Sequence, residues 1–170
     1  MQLDDVVLIG RTMEEYLRIF ALDDTFKQEH ILDAASGISS FTAEANTQGW
    51  TITASDRVYQ FDADTIEQKC RQDLAEVIEK LKPIKDRYVW DFFPNVEALR
   101  QQREKAYTRF LQDYRQHGQE RYHTVTYPVS PFVDNQFTVT LVSHFLFLYE
   151  DQLDYQFHKA TIQELLRITS

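Results

Sequence analysis

Apolar residues recur along the chain at two periods, and the switches between them outline its elements. Met13, Tyr16, Leu17 and Phe20 follow Gly10 at helical spacing and predict a short first helix, with Thr12 and Glu15 placed as a capping box. Residues 30–35 are a short apolar run with Asp33 at its tip, the pattern of a buried strand. Ser39 or Ser40 caps the next helix, and Gly49 ends it in a left-handed conformation. Residues 50–55 alternate and are β-branched, a second strand closed by Asp56. Asp64 and Glu67 form an acidic capping box, and Ile66, Cys70, Leu74, Val77, Ile78 and Leu81 then mark one helix face until Pro83. Pro94 and Asn95 open a further helix carrying Val96, Leu99, Ala106, Phe110 and Tyr114 on one side, with Gly118 after its end. Residues 121–127 read as a third strand, Pro128 and Pro131 break the chain, and residues 137–143 form an almost continuously apolar fourth strand. Leu153, Phe157, Ala160, Leu165 and Ile168 mark a last helix.

The order is α-β-α-β-α-α-β-β-α. Strands alternating with helices predict an α/β fold with a mostly parallel sheet and flanking crossover helices, in one domain over residues 1–170. Residues 1–29 make an N-terminal helical segment. Residues 57–120 hold more helix than one crossover needs, an insertion suited to a lid or an acceptor-binding element. The chain has 170 residues and a formal net charge of -9, a balance that repels nucleic acid and anionic membrane. Cys70 is its one cysteine, so no intrachain disulfide forms and a reducing, cytoplasmic location is expected. Asp4 and Asp5 replace the basic start of a signal peptide, and no apolar run reaches membrane-spanning length.

Candidate chemistry gathers after the first strand. Ala34, Ala35, Ser36, Gly37, Ser39 and Ser40 form a small-residue turn that lets backbone approach a ligand, with Gly37 free to take a positive φ. In an open parallel sheet such turns lie in the ligand crevice beyond the strand tips. An acid in the place of Asp56 accepts hydrogen bonds from both ribose hydroxyls of a nucleoside. Asp33 and Asp56 on adjacent tips make the site negative, which suits an amine-bearing or cationic ligand better than a pyrophosphate. A single glycine also argues against NAD or FAD.

The segment resembles the first motif of class I S-adenosylmethionine-dependent methyltransferases, a strand ending in Asp followed by a G-x-G-x-G type turn. Ala35 and Ser39 stand where that motif has its outer glycines. Asp56 stands at the family's ribose-binding acid. The stretch SPFVDNQFTVTLVSHFLFLY, residues 130–149, resembles the family's later segment leading into the fourth strand. Thr126 falls near a common adenine-facing acid, and Thr138 replaces the usual Asp opening that strand. The resemblance implies a Rossmann-like fold, S-adenosylmethionine as cofactor and methyl transfer, and the acidic charge balance makes a small molecule the expected acceptor. It assigns Asp33, Ala34, Ala35, Ser36, Gly37, Asp56, Arg57 and Ser143 to the cofactor, and His144 to acceptor binding or proton removal. No metal site is implied.

Arg11 and Tyr16 on the first helix are placed to fold over the cofactor, Arg11 reaching its carboxylate, or to be a surface arginine and a core tyrosine. His123 and His158 read as surface positions. The family's full fold has seven strands and four are found, so the last three are missing: either the sequence continues in a longer protein, or the open edge of the fourth strand pairs in a homodimer. A non-catalytic cofactor-binding or interaction module is the main alternative function. An RNA methyltransferase is a second, motivated by Arg100, Arg103, Lys105, Arg109 and Arg115 interleaved with Tyr107 and Tyr114.

Overall fold

A computed structural model describes residues 7–147 and 153–170. Asp4, Asp5 and the end of the 130–149 segment, including Tyr149, lie outside the described residues. The described strands are β1 (His30–Ala34), β2 (Thr51–Asp56), β3 (Tyr122–Thr124) and β4 (Val139–Val142). They form one parallel sheet in the order β3-β2-β1-β4. The α-helices are α1 (Met13–Ile19), α2 (Phe41–Thr47), α3 (Ala63–Leu81), α4 (Val96–His117) and α5 (Tyr155–Ile168), joined by short 3-10 turns. The chain order is the one the hydrophobic pattern predicts. Among the described residues no helix is long and apolar enough to cross a membrane.

β1 lies between β2 and β4, with Ile31 opposite Ile52 on one side and Val139 on the other. Both of its faces are covered, which is why its sequence runs apolar instead of alternating. Ile31 packs on one face with Tyr16, Phe41 and Trp50, and that core continues through Ala54 and Tyr122 to α3 and α4. Leu32 and Ala34 point the other way, into a core with Phe132, Phe137, Leu165 and Ile168. Cys70 sits in the first of these cores and burial pushes its thiol up to about 12, so it is an inert packing residue.

Several boundaries differ from the sequence pattern. α3 is capped by Asp62, whose carboxylate accepts from Thr65 N–H at 2.8 Å. Asp64 and Glu67, expected as the box, instead hold the Arg115 guanidinium at 2.7 Å each. β3 stops at Thr124, because Thr126 turns into an antiparallel bridge with Val129. β4 starts at Val139, because Phe137 pairs with the chain end: its N–H donates to Ile168 O at 3.0 Å and its carbonyl accepts from Ser170 N–H at 2.9 Å. The outer side of the approach to β4 is thus covered by residues 168–170. Of the four residues in β4, Leu141 is buried and the others are half-buried.

Residues 7–12 cross the small-residue turn like a strap. A methyl group on Gly10 would run into the Ile38 carbonyl oxygen, so only glycine allows this approach. Leu8 N–H donates to Asp73 on α3 at 2.7 Å, and Ser40 N–H donates to Arg11 O at 2.9 Å. Glu15 closes the capping box by accepting from Thr12 N–H at 2.9 Å. It also takes the Arg103 guanidinium in a two-pronged bond of 2.6 and 2.8 Å, while Arg103 donates to Gly10 O at 3.0 Å. Both partners are buried, so the geometry has to offset their desolvation.

Arg103→Ala strands the Glu15 charge in the interior and is expected to destabilise the fold by about 3–5 kcal/mol, read as a lower urea midpoint. A loss below about 1 kcal/mol, the range of exposed pairs, would show that the strap is held by something else.

Candidate functional site

The turn after β1 has one glycine, and hydrogen bonds supply the order that further glycines would leave open. Ala35 and Gly37 both take left-handed backbone, φ 52° and 56°. For Ala35 that conformation costs about 1–2 kcal/mol, offset by the bonds around it. Gly37 N–H donates to Asp56 Oδ2 at 2.9 Å, and the Tyr59 hydroxyl donates to Gly37 O at 2.7 Å. Ser36 Oγ lies 2.7 Å from the same hydroxyl, and Ser36 N–H reaches back to Ser55 O at 3.2 Å. The turn is therefore fixed from β2 and from the 3-10 turn that follows it.

Asp56 ends β2 with its other oxygen, Oδ1, accepting from Val58 N–H at 2.8 Å. Each oxygen keeps a second lone-pair direction for a hydroxyl. Burial raises its carboxyl above the ordinary range, against the pull of the backbone bonds to Val58 and Gly37 and of Arg57.

Asp33 is fully buried. Its Oδ1 accepts from the Tyr16 hydroxyl at 3.0 Å, and no described residue partners Oδ2. Burial pushes its carboxyl well above the ordinary range; Tyr16 pulls it down and the Asp56 charge pushes it further up. Tyr16 is buried and stacked on Phe41 at 4.5 Å, so it is a core tyrosine that also faces the crevice.

A crevice of about 380 Å³, within the range of small-ligand sites, opens beyond the tips of β1, β2 and β4. It is lined by residues 35–39, Asp56 and Arg57, residues 125–127 and residues 143–145, and roofed by residues 7–11 and Tyr16. Of the residues expected in it, Ala35, Ser36, Gly37, Asp56, Arg57, Ser143 and His144 reach its surface. Asp33 and Ala34 are not among the lining residues: Asp33 is set one layer back, bonded to Tyr16, and Ala34 packs in the opposite core. Ser143 Oγ is buried with no described partner. His144 stands exposed at the rim with φ 52°. Partial burial and the charges of Arg11 and Arg103 hold its imidazole below the usual range, opposed by Glu15, which favours the neutral form.

The 57–120 segment reaches the crevice only through Arg57; α3 and α4 pack over β2 and β3 instead. Three of the four arginines of α4 are engaged with acids, and Arg109 donates to the Gln112 amide oxygen at 3.5 Å. Arg103 holds Glu15, Arg100 holds Glu97 and Glu104, and Arg115 holds Asp64 and Glu67. His123 is half-buried and edge-on to Phe132 at 5.4 Å. His158 is buried, not a surface residue, because α5 turns His158, Thr161, Leu165 and Ile168 inward. The pattern of apolar residues did not mark Tyr59, Tyr127 or the strap at residues 7–9 as parts of the site. The one local signal for Tyr59 was its place just after the Asp56 strand tip.

No protein-family model matches the chain, and no solved structure matches it. It is 44% identical over 170 residues to the uncharacterized protein MJ0045 of Methanocaldococcus jannaschii, covering 99% of this chain and 76% of that protein.

The buried Asp33 carboxyl links stability to pH. Its raised value favours the protonated form in the folded state, so its contribution to stability is complete below the ordinary aspartate value of about 3.9 and lost as pH rises through the raised one. Asp33→Asn is expected to melt at least about 3 °C above the parent at pH 7, the shift of about 1 kcal/mol in a domain this size, with the gap closing in acid. Equal melting temperatures from acid to neutral pH would show that Asp33 carries no such cost.

Proposed function

The chain belongs to the family of this Methanocaldococcus jannaschii protein, and we propose that it binds S-adenosylmethionine in the crevice and passes the methyl group to a small-molecule acceptor. The observation that carries the reading is the position of the crevice. The chain steps from β1 to β2 and β3 on one side, then crosses back to lay β4 on the other, so the strand order reverses at the β1–β4 tips. Open parallel sheets bind their ligands at that point.

The residues present suit this cofactor. Asp56 offers acceptor directions to two ribose hydroxyls beside the fixed turn. The Asp56 carboxyl at the crevice surface favours an amine or a sulfonium over a pyrophosphate, and the Asp33 carboxyl lies one layer beneath it. The unpartnered Ser143 Oγ and Asp33 Oδ2 are polar atoms without a described partner, at the crevice surface and one layer beneath it. The cofactor supplies a methyl group made electrophilic by its sulfonium. The protein then has to hold the acceptor in line and keep water out, for which Tyr127, Phe145 and Phe157 provide apolar walls. Neutral His144 is placed to take a proton from an acceptor that must lose one. The acidic balance and the acid-paired arginines of α4 favour a small acceptor over nucleic acid. A second reading, a non-catalytic interaction module, is favoured by the glycine-poor turn, whose Gly37 N–H and carbonyl are already taken up by Asp56 and Tyr59.

In calorimetric titration, S-adenosylhomocysteine is expected to bind with a micromolar dissociation constant. Asp56→Ala should weaken it by at least roughly tenfold, about 1.4 kcal/mol, and NAD should not compete. Silence at millimolar S-adenosylhomocysteine, or tighter binding of NAD, would remove the proposal.

A further inference from the structure

We propose that His158 is a positioning residue: it latches Phe147 in the connection that follows β4 and so sets where His144 stands at the crevice. The role of His144 rests on the methyl-transfer reading; the latch itself does not.

The latch is built at the start of α5. Asp154 caps the helix, its carboxylate accepting from Phe157 N–H at 2.8 Å. One turn on, His158 Nδ1 lies 2.8 Å from the Asp154 carbonyl oxygen. A carbonyl only accepts, so Nδ1 carries the ring proton. Nε2 is then a bare lone pair, and it accepts from Phe147 N–H at 3.0 Å. The Phe147 ring stacks on the imidazole at 5.1 Å and 9°, and Phe157 meets it edge-on at 5.8 Å. His158 is buried and does not touch the crevice.

The segment it holds is in a costly conformation. His144 and Phe147 both take left-handed backbone, φ 52° and 67°, where non-glycine residues pay about 1–2 kcal/mol each. Such a loop persists only if its surroundings over-determine it. Phe147 does not secure it by burying its own side chain, which is 66% exposed. Phe145 pins the middle between Tyr127 and Phe157, at 5.9 Å from each. The backbone bond from Phe147 to His158 pins residue 147. The two left-handed residues flank the Phe145 pin, so freeing Phe147 releases the C-terminal side of Phe145 and, through it, carries His144 away from Ser143 and the β1 tip. The bond needs an acceptor at Nε2, so replacement by a ring without one breaks it while preserving shape.

The test compares His158→Phe with His158→Gln by heteronuclear NMR; glutamine keeps an acceptor oxygen near the Nε2 position. In the parent protein the imidazole nitrogen shifts should report the Nδ1–H form of His158, and the Phe147 amide should be protected from exchange. In His158→Phe that amide should exchange at least about tenfold faster. His144, which Arg11, Arg103 and Glu15 face in the parent, should titrate closer to the free imidazole value of about 6.5. His158→Gln should restore both. An Nε2–H form of His158 in the parent would overturn the latch without any variant, as would an unchanged Phe147 amide and His144 titration in folded His158→Phe. S-adenosylhomocysteine affinity is measured on the same samples. Silence in the parent with an intact latch removes the cofactor reading alone, and binding with an unlatched but unaltered His144 removes the positioning role alone.

Discussion

A carboxylate at the tip of the central strand sets the terms for this molecule. β1 is flanked on both sides by parallel partners and covered on both faces, so Asp33 at its end has no route to water. Burying a carboxyl with one hydroxyl for a partner is expensive, and a fold selected for stability alone would have an amide or an apolar residue there. The site around it follows from that choice: Tyr16 is brought in on α1 to bond the buried oxygen, and the Asp56 charge on the neighbouring tip pushes the buried carboxyl further up. The crevice surface is then made by the turn, the strap and the β4 connection, above the two acids.

The rest of the architecture keeps that crevice open and shaped. The strap at residues 7–12 is tied to the turn through Ser40 and to the rest of the fold through α3 and α4. Asp73 and Arg103 reach it from those helices, and Gly10 lets it lie against the turn. The 57–120 helices thus act on the site by buttressing its roof and by covering the sheet. The turn itself works with one glycine because Asp56 and Tyr59 hold both the N–H and the carbonyl of Gly37. Hydrogen bonds from the next strand do there what backbone freedom does in a glycine-rich loop.

The element order, the parallel sheet and the strand-tip position of the turn were legible because burial on two faces writes long apolar runs, and helices write a 3.6-residue period. Finer features were not. Asp62 and Asp64 are chemically equivalent caps, and only the position of the helix decides between them. Residues 125–127 carry strand-like residues but leave the ladder for a local bridge. His158 was hidden because α5 buries polar His158 and Thr161 alongside Leu165, so its inner face does not read as apolar. The Glu15–Arg103 pair joins residues 88 positions apart, and the left-handed backbone of His144 and Phe147 leaves no mark on residue type. The site was readable as a set of strand tips; the layer that holds it was not, because it consists of long-range pairs and backbone geometry.

The central claim is that an adenosyl ligand lies beyond the tips of β1, β2 and β4, over the buried acid. Chemical-shift mapping during titration with S-adenosylhomocysteine tests it most directly. The amides of Gly37, Ser39, Arg57, Thr126 and His144 are expected to move together with one affinity, while those of Arg71, Ala75 and Lys85 in the open groove between α3 and α4 stay still. Shifts confined to that groove, or none anywhere at saturating ligand, would contradict the account.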